Sequence, residues 1–203
     1  MAEISALFWD VGGVLLTNGW DRRCRERAAQ KFRLDWEDFE DRHELVVGRF
    51  ETGRLSLERY LDRTVFYRER NFAKDVFKVH MFDQSKPMDG SLEVADRLAQ
   101  TGRYLMSTLN NESRELNLYR IEHFELRKRF SLFMSSCFLG VKKPEDEMFR
   151  LALDLSQRDP EECLFIDDRE INLECAGRLR LRTLHFKNAP QLEKDLHSLG
   201  LKF

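Results

Sequence analysis

The sequence is poor in the residues that staple or interrupt a fold. Its four cysteines, Cys24, Cys137, Cys163 and Cys175, form no CxxC pair and no Cys/His zinc spacing. That excludes a disulfide scaffold and predicts buried free thiols in a reducing cytoplasm. Only four prolines and ten glycines are present, and no low-complexity linker or internal repeat occurs. No apolar run approaches the roughly 20 residues that span a bilayer. The N-terminus, MAEISALFWD, has no basic segment ahead of its apolar stretch. Neither a membrane partner nor a signal peptide is therefore expected. Neither sign of charge dominates. Charged residues make up 34% of the chain, yet the formal net charge is -2, so no global field attracts nucleic acid or an anionic surface. The five histidines show no spacing that suggests a metal site or a triad, and His43 and His80 read as exposed.

Apolar residues, by contrast, are plentiful. Hydrophobic residues are 42% of 203, with 16 phenylalanines. This suits one medium domain or a core with a smaller insert. Short apolar runs at 4–9, 103–107, 132–138, 162–166 and 182–186 read as buried parallel strands. Helical patterns between the later ones cover 89–101, the segment after Pro144, and 170–179. Alternating strands and helices predict an α/β fold, a doubly wound parallel sheet. Residues 18–85 break the alternation. Candidate helices cover 21–32, 36–47, 56–67 and 70–80, with a break at Gly53 and a cap at Ser56. The expected organisation is a core of residues 1–17 and 86–203, with a helical insert over 18–85. The basic run from Arg22 to Arg27 reads as a solvated helix face, and Lys142 as a solvated charge.

Open α/β sheets bind ligands at the carboxyl ends of their strands. Asp10 follows the first predicted strand, Ser107 and Thr108 lie at the second, and Asp167 and Asp168 end the fourth. Lys143 precedes the helix after the third. A carboxylate, hydroxyls, an ammonium and a carboxylate pair on one rim suit phosphoryl transfer. Such a site needs a nucleophile, donors for phosphoryl oxygens, and a cation.

Four segments carry a specific resemblance. Phe8-Trp9-Asp10-Val11-Gly12-Gly13-Val14-Leu15 resembles the first motif of haloacid-dehalogenase superfamily hydrolases. Met106-Ser107-Thr108-Leu109-Asn110 resembles the second, Gly140-Val141-Lys142-Lys143-Pro144 the third, and Phe165-Ile166-Asp167-Asp168-Arg169-Glu170-Ile171-Asn172 the fourth. The resemblance implies a Rossmann-like core with a small helical cap at 18–85. It implies a Mg²⁺-dependent phosphatase, monomeric or homodimeric, acting on a small phosphorylated metabolite. Asp10 would attack phosphorus and bind Mg²⁺ with the Gly12 carbonyl and Asp168. Asp167 would be a further ligand or a supporting partner. Ser107, Thr108 and Lys143 would hold the substrate's phosphoryl group, and Asn172 would fix the loop.

The sequence departs from that pattern at Gly12. Phosphatases of the family usually carry an acid there that protonates the leaving oxygen. A DxGG start also resembles a subgroup that includes sugar-1-phosphate phosphatases, whose anomeric oxygen leaves more readily. The alternatives are a metal-free dehalogenase on the same fold and a weakly catalytic binding protein.

Overall fold

The computed structural model describes residues 2–203. Five parallel strands form one sheet in the order β3-β2-β1-β4-β5. They are β1 (Ala6–Trp9), β2 (Leu105–Asn110), β3 (Leu132–Ser135), β4 (Cys163–Asp167) and β5 (Arg182–His185). β1 lies at the centre, and all four of its side chains are buried. A strand covered on both faces has no place for alternating polar residues, which explains the continuous run ALFW. One apolar cluster, with Leu7, Trp9, Leu98 and Leu164, packs on one face. Another, with Phe8, Met134, Phe149 and Phe165, packs on the other. This is the doubly wound α/β sheet expected from the alternation of patterns.

Between β1 and β2 the chain makes four helices before the first helix packed on the sheet. They are α1 (Arg22–Phe32), α2 (Trp36–Glu51), α3 (Leu57–Thr64) and α4 (Lys74–Phe82). Side-chain caps start three of them: Asp21 accepts from Cys24 N, Asp35 from Asp38 N, and Ser56 from Arg59 N. Each satisfies an orphan amide of the first turn. These helices have an apolar cluster of their own. Phe77 is fully buried at its middle, with Trp20, Phe32, Phe39, Phe66 and Phe72 around it. Burying one such ring contributes roughly 1.5–3 kcal/mol, so the helices have a local reason to hold together. The two connecting segments are tied side by side. Thr17 N donates to Lys86 O at 2.8 Å, and Thr17 Oγ1 donates to Gln84 O at 2.7 Å.

The remaining helices are α5 (Ser91–Gln100), α6 (Arg114–His123), α7 (Ser136–Leu139), α8 (Asp146–Ser156), α9 (Glu170–Arg178) and α10 (Ala189–Ser198). Sequence reading had not marked α6 or α10. It also placed the second strand too early: β2 extends to Asn110, three residues beyond Ser107. The third strand ends at Ser135, and Ser136-Cys137-Phe138 turn into α7. All four cysteines are free and buried. Among the described residues no helix is long and apolar enough to cross a membrane.

Candidate active site

Register brings the first carboxylates together. Trp9 pairs with Ile166, and Asp10 N donates to Ile166 O at 2.9 Å. Asp10 therefore leaves β1 beside Asp167 at the end of β4. Asp10, Asp167 and Asp168 each place a carboxylate oxygen within 4.8 Å of the others. Gly13 makes room for this. Its φ is +87°, and a β-carbon there would lie 2.6 Å from Asp168 Cγ. Only glycine takes that backbone at no steric cost and lets the carboxylate approach so closely.

Lys143 neutralises part of the cluster. Its Nζ lies 2.6 Å from Asp167 Oδ2 and 3.0 Å from Asp10 Oδ1, and the side chain is buried. Asn111, on the loop after β2, fixes the lysine backbone from both sides. Its Nδ2 donates to Lys143 O and its Oδ1 accepts from Lys143 N, each at 2.8 Å. Burial pushes the Asp10 carboxyl up to about 7; Lys143 opposes this, while Asp167 and Asp168 add to it. Burial also raises Asp168, with Asp167 adding to it. Burial disfavours the Lys143 ammonium, yet Asp10 and Asp167 hold its pKa above the ordinary value. Three carboxylates facing one lysine leave an excess of negative charge.

The three carboxylates differ in the capacity they have left. Asp167 Oδ1 accepts from Arg169 N and Asn172 Nδ2; Oδ2 accepts from Lys143 Nζ and Asn172 Nδ2. Three donors thus occupy both of its oxygens, with Asn172 Nδ2 shared between them. Asp10 Oδ1 is taken by Val11 N and Lys143, whereas Oδ2 has no hydrogen-bond donor among the described residues. Asp168 is half-buried at the cavity wall. All-oxygen donors with open positions are the set a hard divalent cation takes, so the residues fit magnesium through Asp10 and Asp168. Asp167 Oδ2 contacts the Lys143 ammonium at 2.6 Å.

These groups open on a cavity of about 590 Å³ between the strand ends and the helical insert. Asp10, Gly12, Lys143 and Asp168 line it from the core, and Trp20, His43 and Phe50 from the insert. Ser107 and Thr108 do not line it. They sit inside β2, in register with Phe8 and Trp9, fully or almost fully buried, and neither hydroxyl has a partner. Because β2 is longer than expected, the rim passes to Asn111 and Glu112, which do line the cavity.

Several residues read as solvated are not. His43 is buried, and its Nδ1 lies 2.9 Å from Tyr60 Oη. Trp20 Nε1 donates to the same hydroxyl at 2.8 Å. An indole N–H only donates, and a neutral His43 that accepts the Tyr60 proton pairs every donor here with an acceptor. Burial lowers the His43 pKa to about 4, helped by the Arg25 charge. The spacing Phe39-His43-Val46-Phe50 along α2 carried that signal, since all four share the buried face. Arg25 is also buried, held by Glu40 at 2.7 and 2.8 Å and by Trp20 O at 2.7 Å. Lys142 pairs with Glu51 of α2 at 2.9 Å and lines the cavity. Glu112 and Arg120 form a buried pair at 3.0 Å. Burial raises the Glu112 carboxyl, with Arg120 opposing.

Known proteins resemble the chain in sequence and in fold. Over 162 residues the chain is 30% identical to the chloroplast flavin mononucleotide hydrolase 1 of Arabidopsis thaliana, covering 80% of this chain and 65% of that one. It thus spans about two-thirds of that relative's length. A HAD family enzyme from Bacteroides thetaiotaomicron, solved with magnesium and inorganic phosphate, superposes with a TM-score of 0.77 at 23% identity, covering 91% of this chain and 95% of the other. A predicted HAD-like family hydrolase from Porphyromonas gingivalis superposes with the same TM-score at 22% identity, over the full length of both. Residues 4–178 match the haloacid dehalogenase-like hydrolases, and the chain belongs to that family.

Proposed function

We propose that the protein is a magnesium-dependent phosphatase of a small phosphorylated metabolite, with Asp10 as nucleophile. The observation that carries this reading is Lys143. It is buried between Asp10 and Asp167 and leaves Asp10 Oδ2 free at the cavity. A carboxylate that must attack a dianion needs such a cation beside it.

Magnesium, held by Asp10, Asp168 and the Gly12 carbonyl, would supply positive charge against the phosphoryl oxygens. One carboxylate oxygen of Asp10 attacks phosphorus, the ester P–O bond breaks, and its electron pair leaves on the alcohol oxygen. Lys143 keeps Asp10 ionised and draws the phosphoryl group in. Water then attacks the aspartyl-phosphate, releasing inorganic phosphate and restoring Asp10. Asp167 keeps Lys143 aimed, and Asn111 fixes its backbone. The helices over 18–85 act as the cap, excluding water and shaping the leaving-group side.

The relative from Arabidopsis makes flavin mononucleotide one substrate to try, and the Gly12 argument makes sugar phosphates, anomeric ones first, another. The test is a phosphate-release screen over such esters with Mg²⁺ or EDTA, using Asp10→Asn as the control. Magnesium-dependent release that Asp10→Asn loses supports the reading. Halide release from haloacids in EDTA, with no phosphate release, refutes it.

A further inference from the structure

The leaving oxygen requires an answer from this chain, because Gly12 offers no proton. Arg120 stands where that answer is needed. A β-carbon on Gly12 would lie 3.6 Å from Arg120 Nη1. On its other side the guanidinium rests on a second bare backbone, since a β-carbon on Gly19 would lie 2.7 Å from Arg120 Cζ. Two side-chain-free residues therefore flank one buried arginine, and all three line the cavity with Asp10.

The guanidinium is held in place rather than used up. Nε donates to Ser85 Oγ at 3.0 Å, Nη2 to Thr17 O at 3.0 Å, and Nη1 faces Glu112 Oε2 at 3.0 Å. Those contacts account for three of five N–H bonds. Free N–H bonds alone do not single out Arg120, since Arg25 also keeps two and Arg169 lines the cavity as well; the place of Arg120 beside Gly12 does. Lys143 is committed to Asp10 and Asp167, Arg25 to Glu40 and Trp20 O, and Lys142 to Glu51.

We propose that Arg120 binds the leaving oxygen of the phosphate ester, stabilising its negative charge by hydrogen bonding in place of a proton donor at residue 12. The inference rests on the phosphatase reading. As the ester P–O bond breaks, the electron pair moves to the leaving oxygen, an N–H of Arg120 bonds to it, and water protonates the alcohol later. An arginine remains charged throughout, so it serves as an electrostatic donor and not as an acid. A fixed donor aimed at developing charge in a water-poor site is worth about 10²–10³ in rate. Glu112 positions the guanidinium. The same geometry predicts that Gly12→Asp would not restore acid catalysis, because the new carboxylate would pair with Arg120 and stay ionised.

The experiment compares wild type, Arg120→Met, Arg120→Lys and Glu112→Gln on phosphate esters of graded leaving-group pKa, with melting temperature as the check on folding. For Arg120→Met, loss of kcat should rise from a few-fold for acidic phenols to about 10²-fold for alkyl alcohols. Arg120→Lys, which keeps charge without the planar fork, should fall between and serves alone if the Met variant does not fold. Added guanidinium should restore alkyl esters most. Glu112→Gln, which loosens the guanidinium without removing it, should show the same leaving-group dependence to a smaller degree. Equal losses across the series for the Arg120 variants would show a purely structural latch and overturn the proposal. If wild type cleaves no ester, the phosphatase reading falls, and titration with inorganic phosphate plus Mg²⁺ decides the arginine separately. Binding weakened about tenfold by Arg120→Lys or Arg120→Met keeps the anion contact, and unchanged binding removes it.

Discussion

Asp168 lies over Gly13 so closely that a β-carbon on residue 13 would stand 2.6 Å from its carboxyl carbon. Gly13 also has φ +87°, whereas a β-carbon on Gly12 would meet Asn18 Oδ1 at 3.0 Å, with Arg120 Nη1 at 3.6 Å. The two adjacent glycines thus differ in kind. Gly13→Ala should destabilise the protein by about 1–3 kcal/mol and abolish activity by displacing Asp168. Gly12→Ala should cost less than about 1 kcal/mol. Denaturant melts of the two variants side by side check this, and equal losses would refute it.

Asp10→Asn should reduce turnover to background with the fold intact. Its effect on stability has a definite sign. The Asp10 carboxyl is raised from 3.8 to about 7 by burial and by its acidic neighbours. The stabilising contribution of its protonated form is complete below 3.8 and is lost as pH rises through 7. In EDTA at pH 8 the neutral amide should therefore melt higher than wild type, by about 1 kcal/mol or more. Magnesium should raise the melting temperature of wild type and leave the variant nearly unmoved. A variant that melts lower in EDTA would show that Lys143 outweighs the crowding of carboxylates.

Asn111 is joined to the Lys143 backbone by two hydrogen bonds of 2.8 Å. Asn111→Ala removes both and should cost about 1–3 kcal/mol. The main loss should appear in kcat, about 10–100-fold, because a lysine displaced by an ångström no longer keeps Asp10 ionised and aimed. Steady-state kinetics decide it: a loss confined to KM would mean that Asn111 contacts substrate instead.

His43 gives the helical insert an acid sensitivity. Its pKa is depressed from 6.5 to about 4, chiefly by burial. Below pH 6.5 the unfolded chain takes up a proton that the folded one refuses, so stability falls between 6.5 and 4. By pH 5 this amounts to about 2 kcal/mol. His43→Gln, whose amide oxygen still accepts from Tyr60, should flatten that slope. Melts at pH 7 and pH 5 measure it, and an unchanged slope would place the acid sensitivity elsewhere.

Much of the architecture was legible along the chain. The apolar run before Asp10, the acidic pair after ECLFI and Lys143 before Pro144 announced themselves because a buried parallel strand is a continuous apolar stretch and its end is where polarity begins. Ser56 likewise acts as the local cap its chemistry suggests. By itself the sequence determined the alternation of strands and helices, the helical insert, and the acidic and lysine residues of one rim.

What it could not decide was where β2 stops, since Met106-Ser107-Thr108-Leu109-Asn110 mixes polar and apolar residues and every one of them is buried. Only pairing with β1 and β3 sets that end, and with it the exclusion of Ser107 and Thr108 from the cavity and the arrival of Asn111. Arg120 and Glu112 are eight residues apart, on a helix and the loop before it, with nothing in their spacing that points to Gly12. His43 and Arg25 look like solvent-facing charges until the insert closes around them. Their roles come from contacts between residues distant in sequence. Tertiary packing decides such contacts, because burial and the direction of a hydrogen bond depend on what the rest of the chain places opposite.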